Sequence, residues 1–369
     1  MKVIHLYARD LGGEFDSERF VEVARKLGGP VFEETSRVYS QYFVASGLAP
    51  IRVKLRQETV QVEDHRVVFS THLKLFSYGV ALLEYCLEAL GEGIEPARLF
   101  AMTEIDLPGI GRVDFDQLFR NDLSMINSTV GSIIKNEYEV PDFTDHFLLF
   151  IEDTDRPAKD CMELLMQENK LFPRQTRHAF IKQVSLGAEP EKLYILGNRA
   201  YLYTLGDVWD VANFLELSRV QLFELKIYDF ILDRNIESTY RFLDQLPKQK
   251  QLMPLSWLGK DLKNQVRQVL SLTQIRMDLV DLVKDITNTT KVTDDPYYEV
   301  VYRDLNEAFQ VKEWLSSVKE KIAEIGDVQR IILERIDIQQ ATALEMTIII
   351  LILIEIVIPM VQGLIAFFR

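Results

Sequence analysis

The side chains that could bind a metal or move a proton are few and widely separated. The five histidines, His5, His65, His72, His146 and His178, show no spacing at which two would ligate one ion. Cys86 and Cys161 sit in no CxxC or Cys/His pattern, which argues against a zinc site or a disulfide framework and fits a reducing compartment. The acidic pairs Asp153/Asp155 and Asp294/Asp295 fall at expected helix starts or in loops, where capping accounts for them. Gly109-Ile110-Gly111 offers two glycines in a loop, a turn before it is a phosphate cradle. Walker A, dinucleotide-fingerprint, HExxH and GxSxG patterns do not occur. No catalytic, cofactor-binding or metal-binding residue is assigned, and the chain reads as a non-enzyme.

One ionisable residue stands out by its setting. Glu355 lies within Met346–Phe368, where otherwise only Thr347, Pro359, Gln362 and Gly363 are not plainly apolar. About 20 such residues cross a hydrocarbon layer of roughly 30 Å, so a transmembrane helix is expected over 344–369. A carboxyl inside a span is costly and by default marks a functional or assembly site. Gathered around an axis by several copies, Glu355 would share protons, bind a cation, or simply help helices associate. Pro359 and Gly363 behind it permit a kink or close helix packing, and Glu345 stands just ahead of the span.

The elements ahead of this segment must deliver it. Val3–Ala8 reads as a strand, Gly12-Gly13 as a turn and Ser17–Leu27 as a helix ended by Gly28-Gly29-Pro30. Period-two alternation in Ile51–Leu55 and Arg66–Phe69 predicts antiparallel strands. His72–Tyr85, apolar on both faces around Tyr78-Gly79, predicts one central strand. Phe115–Lys135 has helical spacing, and His146–Ile151 reads as a strand. Pro157–Gln167 reads as a helix, and Ala179–Val184 and Leu193–Thr204 as strands with a tight turn at Gly197-Asn198. Both halves of this body run strand, helix, strands, without a residue-level repeat to establish duplication.

From Asp207 the pattern turns helical. Asp207–Leu246 is apolar on a broad face, as for a helix lying on a sheet. Heptad-like spacing follows at Leu272, Ile275, Leu279, Leu282 and Ile286. After a break at Asn288–Pro296 it returns at Leu315, Val318, Ile322, Ile325, Gln329, Ile332 and Ile336. Two such helices make an αα-hairpin, which either buries its own stripe within one chain or continues the seam between subunits; a polar Gln329 in the seam favours a register-specific oligomer. The second helix is expected to run unbroken from Val301 into the membrane segment. The organisation expected is α+β: a body with a mainly antiparallel sheet over 1–206, divisible near 140, a helical connector over 207–254, a coiled-coil hairpin over 255–343 and the span over 344–369.

The net charge of −14 in 369 residues argues against broad nucleic-acid binding, which needs clustered Lys and Arg. The N-terminal residues lack a signal-peptide core and presequence character, so the body is expected on the cytoplasmic side of a single-pass, tail-anchored protein.

Three stretches resemble one family. Leu344–Glu355 is similar to the terminal signature of the "required for meiotic nuclear division" proteins, a family of unknown function that ends in Leu-Glu, an aromatic, an isoleucine-rich run and a Glu. Phe76-Ser77-Tyr78-Gly79-Val80-Ala81-Leu82 resembles its Tyr-Gly-Val strand, and Leu215–Glu224 its helix leading out of the sheet. Met346 replaces the aromatic, and the interval between the latter two stretches is longer than the family needs. The resemblance implies a membrane-anchored, self-associating, non-enzymatic protein. Mitochondrial relatives support organelle translation, a location that the missing presequence does not carry over.

The function expected is a homo-oligomeric membrane scaffold whose body binds a protein or ribonucleoprotein partner. The competing reading is an ion channel or transporter with Glu355 at an axial pore. It draws on a general likeness to pentameric magnesium channels, whose two spans and Gly-Met-Asn loop do not occur here.

Overall fold

The first strand lies in the middle of the sheet. In the computed structural model, which describes residues 1–15, 31–33, 50–62, 65–90, 96–135, 140–152, 181–187, 191–204, 208–245, 292–367 and a few single positions between them, β1 (Lys2–Asp10) is flanked on both sides. It pairs antiparallel with β10 (Asp145–Glu152) and with β6 (Val80–Ala89). Outward from β6 lie β5 (His65–Leu75), β4 (Ile51–Val62) and the short β3 (Val31–Glu33). Outward from β10 lie β13 (Arg199–Tyr203), β12 (Lys192–Leu196) and β11 (Lys182–Val184). Among the described residues this makes one nine-stranded sheet, antiparallel except where β10 and β13 run parallel. The fold is α+β, with a mixed, mostly antiparallel body followed by helices.

Strand alternation gives the sheet two buried faces. Val3, Tyr7, Phe69, Leu73, Leu83, Tyr85, Leu148, Phe150 and Tyr201 belong to one core. It is covered by α2 (Phe115–Val130), which starts where the Asp114 side chain accepts from the Gln117 N–H at 2.6 Å. A short helix α1 (Pro96–Phe100) and the hairpin of β7 (Glu104–Leu107) and β8 (Gly111–Asp114) complete that side. The small strands β2 (Glu14–Phe15) and β9 (Ile134–Lys135) pair with each other. The opposite face of the sheet receives α3 (Val208–Gln245), whose residues from Val211 to Leu225 are buried almost without interruption. The helix α4 (Pro296–Ala308), capped by Asp295, joins it through the Tyr302 hydroxyl, which donates to Gln221.

Two expectations are corrected. His72–Tyr85 is not one strand: β5 ends at Leu75, and Phe76–Gly79 turn the chain into β6. The both-faces-apolar pattern arises because two neighbouring strands are each covered on both sides. Nor is the helix after Val301 unbroken. It stops at Phe309, Gln310 takes a left-handed φ of 58°, and α5 (Val311–Phe367) begins afresh. The expected helices Ser17–Leu27, Pro157–Gln167 and Gly259–Ile286 lie largely outside the described residues.

The chain divides into two units, Met1–Tyr228 with Lys284–Ser316, and Asp229–Val283 with Ser317–Arg369. In the second, the later part of α3 and the middle of α5 run side by side and parallel, since their partners advance together. Lys321 bridges Asp229 at 2.8 Å and Asp233 at 2.6 Å, and the Tyr240 hydroxyl meets Glu324 at 2.9 Å. Further along, Arg335 donates to the Leu243 carbonyl. Val328, Ile332 and Ile336 pack there with Leu243.

Candidate functional site

Beneath α3 the sheet carries a buried ionic cluster that the sequence order conceals. Register places Arg52 of β4 opposite Lys74 of β5, and His72 of β5 opposite Glu84 of β6, all on the side facing α3. Asn213 and Glu216, three apart on α3, close over them. The Lys74 ammonium, 2% exposed, lies 2.6 Å from Glu84, hydrogen-bonds Glu216 and reaches the Asn213 carbonyl oxygen at 3.2 Å. Arg52 donates to the other Glu84 oxygen at 3.1 Å.

Burial pushes the Glu84 carboxyl up, but Lys74 and Arg52 beside it prevail and hold it below the ordinary carboxylate range. Burial, seconded by Arg52, lowers His72 to about 4, so its 3.8 Å approach to Glu84 is not an ion pair at neutral pH. Two cations then face two anions in a closed, neutral group. With Lys74, Glu84 and Glu216 each 2% exposed, no substrate reaches it. Its chemical capacity is to lock α3 onto the sheet in one register.

Further along α3, Arg219 grips Asp145 with two bonds of 2.6 Å and lies over Phe147 and Phe309. Glu224, 1% exposed, is held well above its ordinary value by burial and then by Asp10 nearby.

On the other face two of the histidines come together. His5 of β1 stacks on Phe115 at 3.9 Å between centroids, and its Nδ1 lies 3.3 Å from Nε2 of His146 on β10. Tyr7 stacks against His146 and Phe119 and donates to Asp116 at 2.7 Å. Burial lowers His5 to about 3, with His146 adding to the effect, so His5 is neutral and the pair acts as packing. No third ligand joins it, and among the described residues no group of three His, Cys, Asp or Glu could hold a metal ion. Burial pushes the Cys86 thiol up to about 12, leaving it unreactive. His65 lies at the start of β5, and His178 and Cys161 lie outside the described residues.

Tyr78, Gly79 and Val80 form the exit of the β5–β6 turn. Gly79 has φ +99°, its carbonyl accepts from the Leu11 N–H at 3.0 Å, and a Cβ there would sit 1.9 Å from the Gly13 carbonyl oxygen. The motif therefore fastens the turn to the end of β1; glycine is required by both space and dihedral. Gly109-Ile110-Gly111 forms the β7–β8 turn.

The residues singled out on α5 fall into two sets. Val318, Ile322, Ile325, Gln329, Ile332 and Ile336 are buried within this one chain, and Leu315 is half-buried. Glu345, Glu355 and Pro359 are exposed, as is every residue from Ile348 to Gln362; Gly363 lies in the same helix. This is one helix long and apolar enough to cross a membrane. The structure thus brings the seam together along α5 and leaves residues 348–362 exposed.

The Lys74–Glu84–Glu216 cluster and the His5–His146 pair were missed by sequence reasoning. The one available signal was Glu84, a carboxyl inside the apolar stretch Val80–Leu87.

Residues 1–185 match the model of a family described as "Uncharacterized protein MJ0711, N-terminal domain". The chain is 26% identical over 157 residues to Uncharacterized protein MJ0711 of Methanocaldococcus jannaschii, an alignment covering 42% of this chain and 44% of that relative. The chain thus matches less than half of the relative's length. The family match falls on residues 1–185, and the family it names is an uncharacterised one; it does not carry the meiotic-division name.

Proposed function

The chain belongs to the MJ0711 N-terminal domain family, and from that premise we propose that it is a single-pass membrane protein that self-associates and presents its α+β body to a protein or ribonucleoprotein partner. The observation that carries this reading is the exposed run from Ile348 to Val361 near the end of α5, apolar except for Glu355 and Pro359. Such an apolar surface has to be covered by lipid or protein, and the segment Met346–Phe368 that contains it has the length of a bilayer crossing. The closed state of the buried ionic groups favours a binding role over catalysis. The motif Leu344–Glu355 adds kinship with the meiotic-division proteins, and the body is assigned to the cytoplasmic side.

Full-length protein is expected to float with phosphatidylcholine vesicles and to resist alkaline extraction, and a variant lacking 346–367 to do neither. Equal recovery of both in the soluble fraction would overturn the reading. Glu355, exposed within the span, favours a second possibility, an axial ion path. It requires ion flux into vesicles that Glu355→Gln abolishes.

A further inference from the structure

The span holds two hydrogen-bonding groups that α5 itself leaves unpaired. Glu355 is exposed and has no side-chain partner among the described residues. Four residues on, Pro359 sits inside the continuous helix. Proline has no N–H, so the backbone carbonyl four residues before it, that of Glu355 itself, receives no helical hydrogen bond. A carboxyl and a free carbonyl therefore occur at one level of the span, where lipid chains supply neither donor nor acceptor. Each unpaired group is costly there, and the carboxyl is an acceptor alone while it is ionised. Protonated, it becomes a donor.

Resting on the membrane reading above, we propose that α5 is a self-complementary docking surface for a second copy of this chain, in which the protonated Glu355 carboxyl of one copy donates to the Glu355 carbonyl that Pro359 leaves open in the other. One copy carries both halves of the pair, so two related by a two-fold axis satisfy two donors and two acceptors together. Gly363 follows four residues after Pro359 and offers room for close backbone approach. The contact is proton-dependent, because an ionised Glu355 has no proton to give and brings two like charges together. No residue of the run 348–362 is buried by another described element, so the ionisable group nearest to Glu355 on α5 is Glu345. The buried seam from Val318 to Ile336 is separate: it is filled within one chain.

The test uses full-length protein labelled with donor and acceptor dyes, reconstituted in phosphatidylcholine vesicles, with energy transfer measured against dilution into lipid. Glu355→Ala and Pro359→Ala are each expected to weaken association about tenfold, the size of two interhelical hydrogen bonds in a bilayer. Glu355→Gln, whose amide still donates, is expected to keep association and to abolish its decline at alkaline pH. Flotation of each variant reports insertion separately. Loss of flotation in the unmodified chain would defeat the membrane reading itself. Intact flotation with association unchanged in Glu355→Ala and Pro359→Ala would overturn the docking surface alone. Association of the unmodified chain that does not vary with pH would overturn the proton-dependent bond.

Discussion

Among single residues Glu224 makes the most direct claim on solution behaviour. Its carboxyl, carried by α3, is buried, and burial with Asp10 nearby raises it well above its ordinary 4.5. The folded protein therefore holds a proton that the unfolded chain gives up above about 4.5. The stability tied to that proton is complete below this value and is lost as pH rises toward the folded-state value. Glu224→Gln keeps the shape and removes the titration. The variant is expected to match the parent near pH 4 and to be the more stable of the two at about pH 8. Urea unfolding in detergent across this range checks it, and a difference that shrinks with rising pH would refute it. His5 and His72, lowered to about 3 and about 4, act in the opposite sense. Their contribution is complete above 6.5 and fades as pH falls, so the acid limb of the profile should survive in Glu224→Gln.

The contact between the sheet and α3 turns on Lys74, the shared cation of Glu84 and Glu216. Lys74→Met leaves Glu216 buried without its cation and Glu84 with Arg52 alone. The expected cost is about 3–5 kcal/mol. Adding Glu216→Leu removes the stranded charge and should return about 1–3 kcal/mol of it as coupling, measured as a double-mutant cycle in urea. Strictly additive losses would mean that the two groups do not act together.

This contact also marks the limit of what sequence reveals. The strands were legible from their period-two alternation, and α3 from its broad apolar face, because each signal lies within a few neighbouring residues. Lys74 and Glu216 stand 142 positions apart, and only the register of β4, β5 and β6 under α3 brings their partners together. His5 and His146 likewise meet only through the pairing of β1 with β10. The break at Gln310 was hidden for another reason: neither glycine nor proline marks it, and the apolar spacing continues across it. Tyr78-Gly79-Val80 stood out as a motif, yet its meaning, a close approach to Gly13, required the fold.

For the whole molecule the question is what would draw so acidic a chain to the membrane proposed for it. A net charge of −14 is repelled by anionic headgroups, and residues 336–367 contain no Lys or Arg to offset that repulsion locally. Polybasic attraction needs several clustered cations beside the anchor, and only the single Arg335 and Arg369 flank it. On the proposed reading, association comes from the exposed apolar run of α5, which is indifferent to surface charge and to screening. Full-length protein is accordingly expected to float at least as well with phosphatidylcholine vesicles as with vesicles containing phosphatidylserine. Raising salt from about 0.05 to about 0.5 M, which shortens the screening length severalfold, should not release it. Flotation confined to anionic vesicles, or reversed by salt, would place the attraction on a charged surface of the body and remove the apolar helix from its central role.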